Sequence, residues 1–211
     1  LLLWIDRALT PQEVRDKIQS NDGPFIKSML DYLNSVNKGE FNTGTKDEVA
    51  EKVRKAEQTS AYCDPTRTLP SPPPPLCTKC RSSECEKCKR IDEWWTAKYL
   101  EEIDDILLKS NVHVWCLNNK WKKCKSRFPR EIFSESHVEP ETGRINLKKL
   151  EAFLNTFTNI LTYLVRCNTD VTSLHSGTAV KAVVAYVSDY ITKCGLKTHT
   201  IFETIRNVYA R

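Results

Sequence analysis

The chain has 211 residues, 40% of them hydrophobic and 28% charged, which suits one domain or a domain with an appendage that hides about 70% of its extended surface. Disordered and fibrous classes are excluded by these values. No apolar run approaches the roughly 20 residues of a bilayer span, and the opening LLLWI stops at Asp6, short of a signal peptide, so an intracellular, non-secreted chain with no membrane partner is expected. Thirty-two Lys and Arg against 27 Asp and Glu leave +5, a mild bias that matters only where the cations are concentrated. The first residue is Leu1 and the only methionine is Met29, so the sequence reads as a fragment of a longer chain.

In chain order, residues 1 to 5 read as a strand, and Thr10-Pro11-Gln12-Glu13 supplies a capping-box start for a short helix. After Gly23-Pro24, the spacing of Phe25, Ile26, Met29, Leu30, Leu33 and Val36 predicts a second amphipathic helix, closed by Gly39 and Gly44. Residues 46 to 58 hold good helix formers with few apolar anchors, which predicts a mostly exposed helix. TRTLPSPPPPL (66 to 76) is a stiff extended linker, because consecutive prolines enter neither a helix nor a central strand. Ile91 to Ser110 predicts a long helix with Trp94, Trp95, Tyr99, Ile103, Ile106 and Leu107 toward a core, and Val112 to Trp115 a short strand. After a turn-rich stretch, 134 to 144, further helices are expected over 147 to 166, 178 to 193 and 200 to 210.

Nine cysteines without a secretory signal point to metal rather than to a disulfide framework. Cys77-x2-Cys80-x4-Cys85-x2-Cys88 contains two CxxC pairs, each able to present two thiolates to a tetrahedral structural zinc. The four-residue gap is short for one ion taking all four, and a second set, His113-x2-Cys116-x7-Cys124, offers alternative partners for either pair, so the partition stays open. Cys63 could join the cluster, and free cysteines in a reducing compartment are the plain alternative. Lys120, Lys122, Lys123, Lys125, Arg127 and Arg130 form an acid-free block interleaved with Trp121 and Phe128, where nucleic-acid phosphates could dock. At about 100° per residue, Tyr186, Tyr190 and Lys193 share one helical face with Ala179 and Ala182, while Val180, Val184, Val187 and Ile191 form a separate stripe able to bury the helix. Two phenols one turn apart beside an ammonium could attack phosphate, or could simply pack at a boundary.

CKSRFPR (124 to 130), LVRCNTD (164 to 170) and AYVSDYITK (185 to 193), preceded by a cysteine-rich insertion and SNVH (110 to 113), together resemble the replication-initiator-like region of Helitron rolling-circle transposons, particularly the helitron-helicase-like proteins of fungi. The resemblance implies an HUH endonuclease, in which a histidine-hydrophobe-histidine pair holds Mg2+ or Mn2+ and tyrosines cleave single-stranded DNA, leaving a 5′-phosphotyrosine and a free 3′-OH. By motif position Tyr186 and Tyr190 are the implied nucleophiles, Lys193 the lysine behind them, and Asn168 and Asp170 a polar pair near metal or DNA. Asp189 stands where family members often carry a lysine. No histidine-x-histidine occurs in the sequence, and LLLWI resembles the strand that follows the second histidine, so the nuclease metal ligands are expected before Leu1 and the 211 residues alone are expected to be inactive. An ATP-dependent helicase is expected beyond Arg211, and nuclear residence follows from the DNA substrate.

The expected fold is mainly α with minor β (α+β), a fragment of an HUH-type nuclease domain with a zinc-binding cysteine-rich insertion. Its expected parts are 1–62, the end of the N-terminal helitron-like region; 63–130, linker, zinc insertion, helix and basic block; and 131–211, the helical region carrying the tyrosines. The alternative from another class is a non-catalytic, zinc-stabilised nucleic-acid or partner-binding module, a decayed transposon remnant.

Overall fold

The computed structural model of the chain describes residues 9–78, 85–114, 120, 124, 126, 128–139, 141–172, 184–185 and 187–188. The chain divides into two compact units, Leu1–Ser20 with Ser173–Arg211, and Asn21–Thr172. Among the described residues the fold is mainly helical with one small sheet. Among the described residues no helix is long and apolar enough to cross a membrane.

In the first unit, α1 (Pro11–Gln19) starts at the expected capping box: the Glu13 carboxylate accepts from the Thr10 backbone N–H at 2.7 Å, and Thr10 Oγ1 accepts from the Glu13 N–H at 3.2 Å. Val14 and Ile18, one turn apart, are its buried residues. Val184, Ala185, Val187 and Ser188 are helical, as expected within 178 to 193. Val184 and Val187 nevertheless stand 59% and 43% exposed, which corrects the expectation that they bury their helix. Helical spacing defines a stripe but not what covers it. The expected strand at 1 to 5 and helix at 200 to 210 lie outside the described residues.

The second unit begins with α2 (Gly23–Val36), capped by Asp22, whose carboxylate accepts from the Phe25 N–H; Met29 and Leu33 are buried. Gly39 follows because space forbids anything larger: a Cβ there would lie 2.9 Å from the Lys148 carbonyl and the Lys149 Cα. A second capping box, Thr45 with Glu48, opens α3 (Lys46–Glu57), and those hydrogen bonds hold the Glu48 carboxyl below its ordinary range. The helix is mostly exposed, as expected, but Val49 and Val53 anchor it in the core.

The helix expected from Ile91 begins earlier and has three parts: α4 (Glu86–Glu93), a π-helical turn (Trp94–Lys98) and α5 (Tyr99–Ser110). Around α5 sits the core of Phe41, Val49, Val53, Tyr99, Ile103, Leu107, Leu154, Phe157 and Tyr163, each fully buried side chain contributing about 1.5–3 kcal/mol. Trp95, expected inward, is 42% exposed and packs edge-on against Trp94 at 4.6 Å between centroids. Asp104 is 1% exposed within this apolar helix because its carboxylate accepts from the Asn42 and Thr43 backbone N–H groups and the Asn42 amide, tying down the loop before α3.

The turn-rich stretch 134 to 144 also supplies β1 (His137–Val138), which pairs antiparallel with β2 (Ile145–Asn146), Gly143 taking a φ of +67° in the connection. A further expectation is corrected: the helix expected over 147 to 166 is confined to α6 (Asn159–Val165). Residues 147 to 157 instead run across the unit, with Lys149 paired to Phe133, Leu154 to Val112 and Phe157 to Lys38, so non-local backbone pairing overrides good helix formers. The expected strand at Val112 to Trp115 is, among the described residues, only that bridge at Val112.

The proline linker is tied to α6. Tyr163 Oη donates to the Ser71 carbonyl at 2.7 Å, and the guanidinium of Arg166 donates to the Pro65 carbonyl and Thr68 Oγ1, both at 3.0 Å, and pairs with Glu102. Arg166 closes α6 at a φ of +55°, a left-handed cap usually given to glycine and held here by its buried side chain.

Candidate metal centre and motif cluster

Cys85 is the N-cap of α4 and Cys88 lies in its first turn, so helical geometry alone places both thiols on one side of the helix start. The linker returns Cys77 to them. The three sulfurs lie within 4.8 Å of one another, and Cys77 Sγ is 4.0 Å from Cys85 Sγ. Two thiolates on a tetrahedral ion with bonds of about 2.3 Å stand about 3.8 Å apart, so the spacing suits a metal ion. Cys77, Cys85 and Cys88 therefore form a cluster that can hold one, drawn from both CxxC pairs rather than from one; Cys80 lies outside the described residues. Cys63 is not a member and is exposed.

The second set also draws together. His113 Nε2 is 3.3 Å from Cys124 Sγ, and neither residue belongs to the first cluster; Cys116 lies outside the described residues. The His113 ring stacks on Phe128 at 4.2 Å and 8° between planes, and the Arg130 guanidinium lies 4.7 Å from the centre of the Phe128 ring. Arg130 Nη2 then pairs with Asp170 Oδ2 at 2.9 Å. Asn168 is exposed and its Oδ1 accepts from Asn155 Nδ2 at 2.9 Å.

Asn111 joins these segments from below. Only 1% exposed, it donates through Nδ2 to the Thr169 carbonyl at 2.9 Å and accepts at Oδ1 from the Thr169 N–H at 3.1 Å. SNVH, CKSRFPR and LVRCNTD, far apart in sequence, thus meet in one cluster. Sequence reasoning missed Asn111 and Arg166; their only signal was position within the motifs, because a buried polar side chain is recognised by partners that sequence does not display.

Lys149 is buried within reach of the Arg130 charge. Its Nζ donates to the Leu154 carbonyl at 2.5 Å, and burial, with the Arg130 charge second, pushes its ammonium down to about 8. Elsewhere, a cavity of about 600 Å³ opens between α3 and α5, with Tyr62, Lys98 and Glu101 among its lining residues. At its edge the Tyr62 hydroxyl donates to Asp105 Oδ2 at 2.6 Å, and burial followed by that carboxylate pushes the phenol up to about 12.

Of the basic block, Lys120 and Arg130 are described: Lys120 is exposed and Arg130 is held by Asp170. Lys122, Lys123, Lys125 and Arg127 lie outside the described residues, as do Tyr186, Tyr190 and Lys193. Compared with protein families, with curated proteins and with solved structures, the chain matches none.

Proposed function

We propose that the chain is the replication-initiator-like part of a Helitron-type rolling-circle nuclease, in which a metal-ordered basic segment holds single-stranded DNA and Tyr186 and Tyr190 are the nucleophiles. The supporting observation is the convergence of SNVH, CKSRFPR and LVRCNTD, joined by Asn111 to Thr169 across 58 residues and by Arg130 to Asp170 across 40. Two of the three motifs that together carry the resemblance, CKSRFPR and LVRCNTD, and the SNVH that accompanies them are thus tied to one another.

In this reading a tyrosine phenol gives up its proton and its oxygen bonds to phosphorus as the bond from phosphorus to O3′ breaks. The departing 3′ oxygen takes up a proton, and the strand keeps a 5′-phosphotyrosine. Lys193 favours the phenolate, and Lys120, Lys122, Lys123, Lys125, Arg127 and Arg130 bind the DNA backbone. The resemblance implies a histidine pair, not among these 211 residues, that would hold a divalent ion, and such an ion would polarise the phosphate. Zinc is the ion we assign to Cys77, Cys85 and Cys88, with Cys80 as the fourth thiolate, because an all-sulfur donor set suits it; a filled tetrahedral shell leaves it a structural role. A following helicase and a nuclear site of action belong to the same proposal.

The test is covalent capture. A chain extended upstream through the histidine pair, incubated with labelled single-stranded DNA and Mg2+ or Mn2+, gives a denaturant-resistant adduct that Tyr186→Phe or Tyr190→Phe reduces and the double variant abolishes. Equal adduct yield in all three variants overturns the reading. DNA binding with no adduct from the unaltered extended chain favours the binding module instead.

A further inference from the structure

We propose that Arg67 to Pro73 is a docking segment for a polyproline-reading protein domain of the SH3 class, one with an aromatic-lined groove and an acidic pocket beside it. The sequence there is RTLPSPP: an arginine, then Pro70 and Pro73 three and six residues on, each preceded by an apolar residue, Leu69 or Pro72. Proline fixes its own φ and biases the residue before it to extended backbone, which favours a left-handed helix of three residues per turn. Accordingly Thr68 is extended, at φ −119° and ψ 159°, and residues 69 to 76 belong to no α-helix or strand.

A helix of that period has three edges, and the fold holds one of them. Along Thr68, Ser71 and Pro74, Thr68 Oγ1 accepts from Arg166 Nη1 at 3.0 Å, the Ser71 carbonyl accepts from Tyr163 Oη at 2.7 Å, and Pro74 is half-buried. Leu69, Pro72 and Pro75 form a second edge, and Pro70, Pro73 and Leu76 a third; all six are exposed except Pro70, which is half-buried. Leu69 is 89% exposed, so among the described residues nothing covers it. The spacer Ser71 is thus held by the protein, while the pairs Leu69-Pro70 and Pro72-Pro73 are left outward, about 9 Å of rise apart, one for each slot of a groove.

Arg67 sets the charge of the partner. It ends the short 3₁₀ turn Pro65–Arg67, its side chain is 85% exposed, and its Nε lies 3.9 Å from Asp64 Oδ2, a loose surface pair worth little. The other oxygen of Asp64 is taken by the Thr66 N–H at 2.9 Å and Thr66 Oγ1 at 2.7 Å. The guanidinium can therefore turn to a carboxylate of the partner. Stiff prolines anchored by Tyr163 and Arg166 also leave little ordering entropy to be lost on docking.

The test is an NMR titration of an isotope-labelled SH3 domain that takes arginine-first RxLPxxP peptides. It is titrated with the unlabelled 211-residue chain and, in parallel, with a synthetic peptide of residues 66 to 76. Shifts at the aromatic groove are expected from both. Arg67→Glu, and the pair Pro70→Ala with Pro73→Ala, should each weaken binding of the chain at least about tenfold, the loss of one charge-assisted contact or of the filled slots. Pro75→Ala, beyond the segment, should change it less than about threefold. Groove resonances that the peptide shifts and the chain leaves unmoved mean that the fold covers the segment, which overturns the proposal; so does failure of both to bind. Binding that survives Arg67→Glu overturns the acidic-pocket partner, and binding that survives the double proline variant places the contact on another surface and overturns the segment. Should a variant lose its fold by circular dichroism, competition decides: the peptide displaces the unaltered chain from the probe, and a chain still bound at saturating peptide overturns the proposal. No DNA enters the assay, so its outcome is independent of the nuclease reading.

Discussion

Replacing Asn111 by alanine tests whether the motif cluster is a built unit. The substitution removes four hydrogen bonds, from Nδ2 to the Thr169 carbonyl at 2.9 Å, from Nδ2 to Thr169 Oγ1 at 3.2 Å, and to Oδ1 from the Thr169 N–H and from Ser110 Oγ, both at 3.1 Å. Two of these satisfy backbone groups of Thr169, itself 9% exposed, and a buried backbone group left unpaired costs about 1–3 kcal/mol. The expected loss is therefore about 2–5 kcal/mol, a large share of the stability of an ordinary domain. With a urea dependence of about 2 kcal/mol per M, the unfolding midpoint drops by about 1–2.5 M. Asn111→Asp keeps the size and the acceptor but sets a carboxylate against the Thr169 carbonyl, and is expected to lose at least as much. A midpoint in either variant within about 0.25 M of the unaltered chain, the behaviour of a surface substitution, would refute the reasoning.

Other consequences can be read from the same structure. Ile103→Ala, at a fully buried position facing α3 and α6, is expected to cost about 2–5 kcal/mol in chemical denaturation, against under 0.5 kcal/mol for an exposed control such as Lys98→Ala. Lys149 has its folded-state pKa depressed to about 8 from 10.5, so between these values the unfolded chain binds more protons and stability rises with pH. Measured against Lys149→Met, which abolishes this contribution, the unaltered chain should gain up to about 1.4 kcal/mol per pH unit through that window; parallel pH curves would contradict it. Asp170→Asn releases Arg130 from an ion pair whose side chains are 41% and 30% exposed, which should change stability by less than about 1 kcal/mol. If Arg130 then meets a phosphate, single-stranded DNA binds more tightly and the logarithmic salt slope steepens by about 0.7; an unchanged slope argues against Arg130 as a DNA contact.

The elements that were legible in the sequence are those whose causes are local. Thr10 with Glu13 marks a helix start because the capping partners lie three residues apart, and that box forms where it was read; the structure adds a second of the same kind, Thr45 with Glu48, at the head of the helix expected from 46. The run Tyr99, Ile103, Leu107 announced α5 because 3.6-residue spacing puts those side chains on one face. The two CxxC pairs announced a cluster able to hold a metal, since thiols at that spacing can face one ion.

What lay beyond the sequence depended on partners distant along the chain. Leu147 to Phe157 has the composition of a helix, yet its backbone hydrogen bonds go to Gly39, Phe133 and Lys38, because pairing across the unit satisfies the same groups while placing Leu154 and Phe157 in the core. Spacing left the ligand partition open, the four-residue gap being short for one ion taking all four; the linker, held by Tyr163 and Arg166, returns Cys77 to the head of α4, so the described three-sulfur cluster draws on both CxxC pairs. The sequence by itself thus determined which helices could start, which faces were apolar and which thiols could ligate. The tertiary structure alone decided where 147 to 157 turned from helix to bridges, that Asp170 answers Arg130, and that Asn111 closes the motif cluster, because each is settled by a hydrogen bond or ion pair to a residue that local spacing does not reveal.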